Sequence, residues 1–473
     1  MDKQQIVVGL DIGTTKIACL IGVKDEDNPD KVRIIGHGKV KSVGVEHGVV
    51  RNILKASQTI KYAVSLAAEQ AQCSVTEVYV GIAGQHIKTK KNRGQVSIPS
   101  DQDYILEKDV DRMIAEQHNL LLDEGDEIIH IFPQAYYVDT VPLNDRDPVG
   151  VSAKQLSADF HIVTGNKTNI KNILQSVKLA NLTVKGIVLE PIASSMAVLT
   201  EEDLEAGVAL VDIGGGTTDI AIFANGVINH THVVPVAGKT ITDDIQKGFS
   251  VLPDTAERLK VQFGSCMPEA LDDVVIAFPG YHGQPKREIE IRTLASIIKA
   301  RTKDILNFVN LEIMQTGLQK QLVGGIVLTG GGSKLKDIVN YTSYITGINT
   351  RIGTPDEHIS NTDDKKGQGI GDPIYATGIG LVLYGIGKLD EKVQPQPEEP
   401  QPQPEEPQPQ PEEPQPQPET IDPGILDGES EPAPEPAPEP APAPEPSKPK
   451  KKTFFKALQE YFDRFLEKGD EEL

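Results

Sequence analysis

Residues 207–224 read GVALVDIGGGTTDIAIFA, and the reading of this stretch decides the fold. An apolar run from Val208 to Val211 leads into Asp212. A turn of Gly214, Gly215 and Gly216 with Thr217 and Thr218 follows, and then a second β-branched run from Ile220 to Phe223. Two strands joined by a glycine turn make a hairpin. Its tip carries backbone N–H groups and hydroxyls. Glycines adopt positive φ and let a bulky anion approach closely, so such a tip can hold phosphate in a nest of amides. Strand rather than helix follows the glycines, which separates the stretch from the GxxxxGK[ST] phosphate loop. Taken alone, an ordinary tight hairpin carries the same pattern.

The N-terminus repeats the element. Ile6 to Val23, IVVGLDIGTTKIACLIGV, gives an apolar strand, Asp11, a turn of Gly13, Thr14 and Thr15, then Lys16 and a second strand. With the Asp at the same offset in both copies, the pattern predicts an internal duplication that sets two phosphate-facing turns on opposite walls of one cleft. Asp11 and Asp212 suit a hydrated Mg²⁺, a hard cation held through few carboxylates. Lys16 is placed to neutralise phosphate charge. A third element, Gly324 to Ile338 (GGIVLTGGGSKLKDI), is a buried-strand run ending in Gly330, Gly331, Gly332 and Ser333, with a helix expected from Lys334. Glycines at a strand's carboxyl end let a base and ribose pack on the backbone. The three elements together predict a nucleoside triphosphate site, with ATP and Mg as its ligands.

The whole chain sets the bounds. Its 473 residues suffice for two or three cores, since single cores rarely grow past ~250–300 residues. Of the net charge of −22, fourteen acidic residues and no basic ones fall between Val393 and Pro446, leaving −8 for the rest. No basic excess marks nucleic acid as a partner. Cys19, Cys73 and Cys266 lie far apart without metal-like spacing, which points to a reducing compartment. The N-terminus carries no signal-peptide pattern. Ile374 to Ile386, the most apolar stretch, is too short to span a bilayer and predicts a buried helix.

In this order the motifs resemble the actin/heat-shock-chaperone/sugar-kinase ATPase superfamily, an α/β fold of two lobes around a nucleotide cleft. Over residues 1 to about 390 the chain resembles the FtsA family of bacterial cell-division proteins. VYVGIAGQHI (78–87), DVDRMIAEQ (109–117), HIFPQAYYVD (130–139) and PVGVSAKQLSADFHIVTG (148–165) resemble that family's inserted small subdomain, which serves self-assembly into filaments. The resemblance implies residues 1–83 and 163–193 as the first core subdomain and 84–162 as the insert. It implies 194–256 and 320–388 as the second core subdomain, with 257–319 as a small subdomain that receives the C-terminal tail of the tubulin-like division protein FtsZ. Arg287, Arg301 and Asp304 are its candidate contacts for that acidic-apolar tail, and other division proteins are further implied partners.

The helix expected from VLEPIASSMAVL (188–199) links the two halves in the family and passes the γ-phosphate. Glu190 then either orients an attacking water or complements the helix dipole from the first turn. In VAGKTITDDIQKGF (236–249), Gly238 approaches phosphate by resemblance; the family's glycine pair is here Gly238-Lys239. Glu257 and Lys260 stand at i, i+3, and by resemblance bracket the ribose and adenine. In the helix that REIEIRTLASIIKARTKDILNFV (287–309) predicts, Leu294, Ile297, Ile298, Ile305 and Phe308 form an expected core stripe.

After Lys388 the composition changes. QPQPEEP occurs three times in succession from Gln394, and an APEP tract follows, interrupted by IDPGIL at 421–426. Proline at nearly every second position with like charges predicts a disordered, extended linker over 389–449. The last segment, 450–468, predicts an amphipathic helix with Phe454, Phe455, Leu458, Tyr461, Phe462, Phe465 and Leu466 on one face. Lys450, Lys451 and Lys452 precede it. A tethered helix with no neighbouring core should lie in a membrane interface, drawn by anionic lipid; the alternative is a helix that docks into a partner groove. The sequence-level expectation is an ATP-binding, self-polymerising subunit, at most a slow ATPase, peripheral on the cytoplasmic face of the cell membrane at the division site. A sugar kinase has no use for the terminal helix. A chaperone needs a folded domain where the linker stands, and a pilus adaptor of related fold lacks the anchor.

Overall fold

The computed structural model describes residues 5–28, 31–278, 286–360 and 369–393. The Pro/Glu-rich tract and the terminal aromatic segment lie outside them.

Two five-stranded sheets share one topology. In the first, Val32–Lys41, Lys16–Lys24 and Val7–Ile12 form an antiparallel meander, and Glu77–Ile82 and Thr183–Leu189 continue it in parallel. In the second, Val227–Val234, Thr218–Ala224 and Val208–Ile213 form the meander, and Gly325–Thr329 and Thr350–Ile352 continue it in parallel. The duplication predicted from two Asp-Gly-Thr turns therefore extends to the whole strand order. Every residue of Val7–Ile12, Val208–Ile213, Thr218–Ala224 and Gly325–Thr329 is buried, which is why these strands read as unbroken apolar runs rather than alternating ones.

Helices cover the sheets. Ile53–Ala71 starts at Asn52, whose side chain accepts the Lys55 N–H at 3.0 Å, and it ends in left-handed Gln72. It lays Ala56, Ile60, Ala63 and Ala67 on the first sheet. Two further helices meet between the lobes. Glu190–Val198 begins on Pro191, whose fixed φ suits a first turn. Ala376–Val393 crosses it so closely that a Cβ built on Gly380 would stand 1.7 Å from the Ala193 carbonyl oxygen. This second helix runs past Lys388, where the composition changes, as far as Val393. No described helix is long and apolar enough to cross a membrane.

A third sheet, in the order Lys88–Ser97, Gln155–Asn166, Asp126–Val138, Val141–Pro142, carries its own core under helix Glu107–Gln117. Val110, Met113 and Ile114 of that helix pack on Leu156, Phe160 and Ile162. Asp109, fully buried, accepts from Gln102 Nε2 at 2.6 Å and from the Leu106 N–H at 3.1 Å, which satisfies the helix start.

Two sequence expectations are corrected here. The helix expected from Lys334 begins at Ile338 instead; Gly331–Lys334 form a 3₁₀ turn and Asp337 is left-handed, its carboxylate tied to the Ser265 hydroxyl at 2.8 Å. Arg287–Glu290 is a strand and Ile291–Thr316 a long helix, as read, but Phe308 is exposed. Leu306 and Val309 take its place in the core.

Candidate functional site

The ends of the two meanders meet. Asp11 pairs in register with Ala18, and Asp212 with Asp219, each at the last turn of its hairpin. The tips face one another directly. A Cβ built on Gly215 would lie 2.3 Å from Thr15 Oγ1, and one on Gly216 would lie 2.1 Å from Thr14 Oγ1. Gly13 and Gly214 begin the two turns, and the Gly214 N–H donates to the Thr217 carbonyl at 2.9 Å, closing the second.

Asp212 is the hub of the second wall. Its Oδ2 accepts from Ser194 Oγ at 2.7 Å and from Thr377 Oγ1 at 3.3 Å, one hydroxyl from each of the two crossing helices. Gly330 backs its other oxygen. With φ of +77° and a would-be Cβ only 2.1 Å from Asp212 Oδ1, this position admits glycine alone. The first glycine of the 330–332 run is thus fitted against the hairpin carboxylate. Ser333 Oγ turns back to the Gly330 carbonyl at 2.7 Å, and Lys334 pairs with Asp372.

On the first wall Lys16 is ion-paired with Asp11. Glu190, half-buried at the start of its helix, lies over Gly81. Three carboxylates (Asp11, Asp212 and Glu190) therefore act on the Lys16 ammonium, and a fourth, Asp219, stands beside Asp212. Burial first, and then the charges of Asp11, Asp219 and Asp212, push Glu190 well above the usual carboxylate range, with Lys16 pulling the other way. Burial and then Asp212 do the same to Asp219, against the bond from Thr217. Asp212 is raised by burial despite the Ser194 bond and the Lys16 charge. Burial would lower Lys16, but Asp11, Asp212 and Glu190 outweigh it and hold it raised. Asp219 Oδ1 is buried without a hydrogen-bond partner among the described residues. Surplus negative charge, hard oxygen donors and an orphaned buried oxygen fit a divalent magnesium ion.

A raised carboxyl has a consequence for stability. The folded chain holds the Glu190 proton to higher pH than the unfolded chain, which releases it near its ordinary value of about 4.3. Stability therefore falls as pH rises from that value toward the folded one. Glu190→Gln, which is neutral throughout, is expected to melt a few degrees higher than the parent without ligands. The gap should widen as pH is raised through the window, which differential scanning fluorimetry from pH 5 to 8 would measure. Equal melting curves at every pH would contradict the charge crowding.

The flank of the second tip is built by backbone. The N–H groups of Gly238 and Lys239, opening helix Gly238–Phe249, donate to the Gly214 and Gly215 carbonyls at 3.1 and 2.7 Å. The departure from a glycine pair is accommodated because the Lys239 ammonium turns along its own helix to Asp243, at 2.9 Å. Helix Pro253–Phe263 brings Glu257 and Lys260 to the same place. Lys260 Nζ lies 2.8 Å from Glu257 Oε2 and donates to the Gly238 carbonyl at 2.9 Å and to Thr242 Oγ1 at 2.8 Å. Thr218 Oγ1 bonds the Val236 carbonyl at 2.8 Å and Thr217 Oγ1 bonds Asp219 at 2.9 Å, so these two hydroxyls brace the hairpin itself.

One participant is absent from the motif reading. The strand pairs Val45–Glu46 and Val49–Val50 are joined through His47 and Gly48, both at positive φ, a two-residue turn matched to strand twist. His47 Nδ1 lies 3.1 Å from the Gly216 carbonyl oxygen, and the Gly48 N–H donates to Thr14 Oγ1 at 3.1 Å. This turn touches both tips at once. Its sequence signal is the His-Gly dipeptide between Val45-Glu46 and Val49-Val50.

The family follows from comparison with known proteins. Residues 209–380 match the model for "Cell division protein FtsA", and residues 84–164 match that for "SHS2 domain inserted in FTSA". The cell division protein FtsA of Neisseria meningitidis serogroup B is 37% identical over 401 residues, 84% of this chain and 94% of the relative. The chain belongs to the FtsA family. The Escherichia coli K12 member is 34% identical over 391 residues, 81% of this chain and 90% of that one. Among solved structures, a chain of the "PilM-PilN type IV pilus biogenesis complex" superposes with a TM-score of 0.57 at 15% identity, covering 81% of this chain and 99% of that one, a likeness of fold. The actin-like ATPase fold with an inserted SHS2 domain is thus shared with its relatives, and FtsA membership gives the chain a role in cell division.

The candidate tail-docking residues have partners of their own. Arg301 pairs with Asp244 at 2.7 Å and with Asp304 at 3.1 Å, and Arg287 donates to the Ser250 carbonyl at 2.9 Å. The aromatic and lysine residues of 450–466 fall outside the described residues.

Proposed function

We propose that this FtsA-family chain binds Mg-ATP between its duplicated hairpins, polymerises, and holds the FtsZ ring to the cytoplasmic face of the cell membrane, helping to recruit later division proteins. The observation that carries the reading is the meeting of two hairpins of one build at the junction of two sheets of one topology. Gly13, Thr14, Thr15 and Lys16 would take the phosphates from one side, and Gly214, Gly215, Gly216, Thr217, Thr218 and Gly238 from the other. Gly330, Gly331, Gly332 and Ser333 would take adenosine on the backbone, and Glu257 and Lys260 the ribose and base. Asp11 and Asp212 would hold the ion through its waters, and the ion would supply charge neutralisation on the β- and γ-phosphates.

With the tips in contact as they are, a triphosphate enters only when the lobes part. The helices that cross at Ala193 and Gly380 place Ser194 and Thr377 on Asp212. Opening at the tips is therefore transmitted to the helix contact between the lobes, and nucleotide acts as a clamp that selects one subunit shape for assembly. Burial first, and then its acidic neighbours, raise Glu190 above the usual carboxylate range, so it is a poorer base than an ordinary carboxylate until a cation enters, which suits a slow ATPase. Arg287, Arg301 and Asp304 remain the proposed FtsZ-tail contacts. Subunit anchors at 450–468, individually weak, add by avidity in a filament.

Electron microscopy of the purified chain on anionic lipid monolayers tests the whole. Ordered filaments on the lipid with Mg-ATP, and their loss without nucleotide, are expected. A folded chain that neither binds such lipid nor responds to nucleotide would overturn the reading.

A further inference from the structure

Away from the nucleotide cleft, the edge strand Val227–Val234 carries His230 and His232 two residues apart, hence on one face. Thr231 between them points into the interior and is buried. The long helix Ile291–Thr316 runs beside the strand and brings Glu312 against both histidines. Glu312 Oε2 lies 2.9 Å from His230 Nε2 and 3.6 Å from His232 Nδ1, and the three atoms all fall within 4.8 Å of one another. The two imidazole planes are parallel to within 5°. The Glu312 and His230 side chains are 12% and 19% exposed and His232 44%, so the cluster is walled on one side and reachable from the other.

Two imidazole nitrogens and one carboxylate oxygen form a donor set that takes Zn²⁺ and leaves a fourth position for water. In a tetrahedral site with bonds of about 2.0–2.1 Å, neighbouring donor atoms stand about 3.3 Å apart. The 2.9 and 3.6 Å separations bracket that value. Zinc takes imidazole as a neutral ligand, through a ring nitrogen that carries no proton. His230 has only to carry its proton on Nδ1 to free Nε2.

We propose that His230, His232 and Glu312 bind one Zn²⁺ ion, which fastens the long helix to the edge strand of the second sheet. The same strand supports the inserted subdomain. His161 Nε2 of the inserted sheet meets Thr231 Oγ1 at 2.9 Å, and Gln134 Nε2 donates to the Ile228 and Asn229 carbonyls at 3.0 and 2.9 Å. A metal here stiffens the place where three parts of the molecule join. Lys91, whose charge is felt at His230 and His161, works against a cation and moderates the affinity.

The proposal is independent of the nucleotide reading, and its test uses no nucleotide. The full chain, carrying no histidine tag and stripped of metal by EDTA, is titrated with Zn²⁺ against a chromophoric chelator. Excess Mg²⁺ is present to occupy the carboxylates of the cleft. One Zn²⁺ per chain at micromolar affinity or tighter is expected, with a rise in melting temperature and with the strong visible bands of tetrahedral Co²⁺ on substitution. His230→Ala/His232→Ala should lower the affinity at least a hundredfold and abolish the melting shift. His232→Gln, at the more exposed position, keeps the fold and should lose at least tenfold. Absence of stoichiometric Zn²⁺, or His232→Gln and the double variant binding as the parent does, would overturn the site.

Discussion

Asp212→Ala is expected to lower the affinity for Mg-ATP about a hundredfold, roughly 2.7 kcal/mol, while the chain stays folded. The carboxylate stands at the end of a wholly buried strand and is the one acidic group on the second wall tied to both interlobe helices. Removing it takes away a proposed ion-binding oxygen and the hub that couples the tips to those helices. The fold should tolerate the loss for two reasons. Ser194 Oγ and Thr377 Oγ1 already lie 3.1 Å apart and can bond each other. The deleted group is also one whose ionised form burial disfavours, so its absence relieves repulsion with Asp11. Asp11→Ala is a poorer probe, because it strands the Lys16 ammonium without its partner. Isothermal titration of ATP with and without Mg²⁺, with circular dichroism as the check on folding, makes the measurement. Affinity and turnover equal to the parent's would remove the two-hairpin site.

The cleft was legible in the sequence where local chemistry alone determines structure. A buried strand, an Asp, a glycine-threonine turn and a second strand specify a hairpin tip by themselves, and finding two copies predicts the pseudo-symmetric sheets. Partners supplied from far along the chain left no such trace. Ser194 and Thr377 look like ordinary small polar residues on apolar helices until the crossing at Gly380 brings them to Asp212. Asp219 is a seven-residue step from Asp212 in sequence, yet only hairpin register reveals it as the carboxylate opposite. His47 reaches Gly216 across the lobes. The two misreadings have the same root. Asp337 is held left-handed by the distant Ser265, which delays the helix start to Ile338. Phe308 sits three residues from buried Ile305, an acceptable helical spacing, but Leu306 and Val309 join the core while Phe308 stays exposed.

Phe462→Glu, and equally Phe465→Glu, should release the chain from anionic membranes. Burying one phenylalanine side chain contributes about 1.5–3 kcal/mol. Replacing it by a carboxylate forfeits that contribution and sets a negative charge against a negative surface. One substitution thus costs each subunit on the order of a tenfold to hundredfold loss in partitioning. In an assembly the loss compounds, because every subunit's anchor is weakened and avidity multiplies individual affinities. Lys450, Lys451 and Lys452 add about 1 kcal/mol each near an anionic surface, a contribution that salt screens. Two signatures therefore separate the halves of the anchor in liposome co-sedimentation. Binding of the parent should weaken as salt is raised or as anionic lipid is replaced by neutral lipid, whereas the Phe462→Glu defect should persist at every salt concentration. Since 450–468 follows a long Pro/Glu-rich tract, ATP affinity should be unchanged by these substitutions. Undiminished co-sedimentation of both variants would refute the membrane anchor, and a parallel loss of ATP binding would mean that the segment acts on the folded core instead.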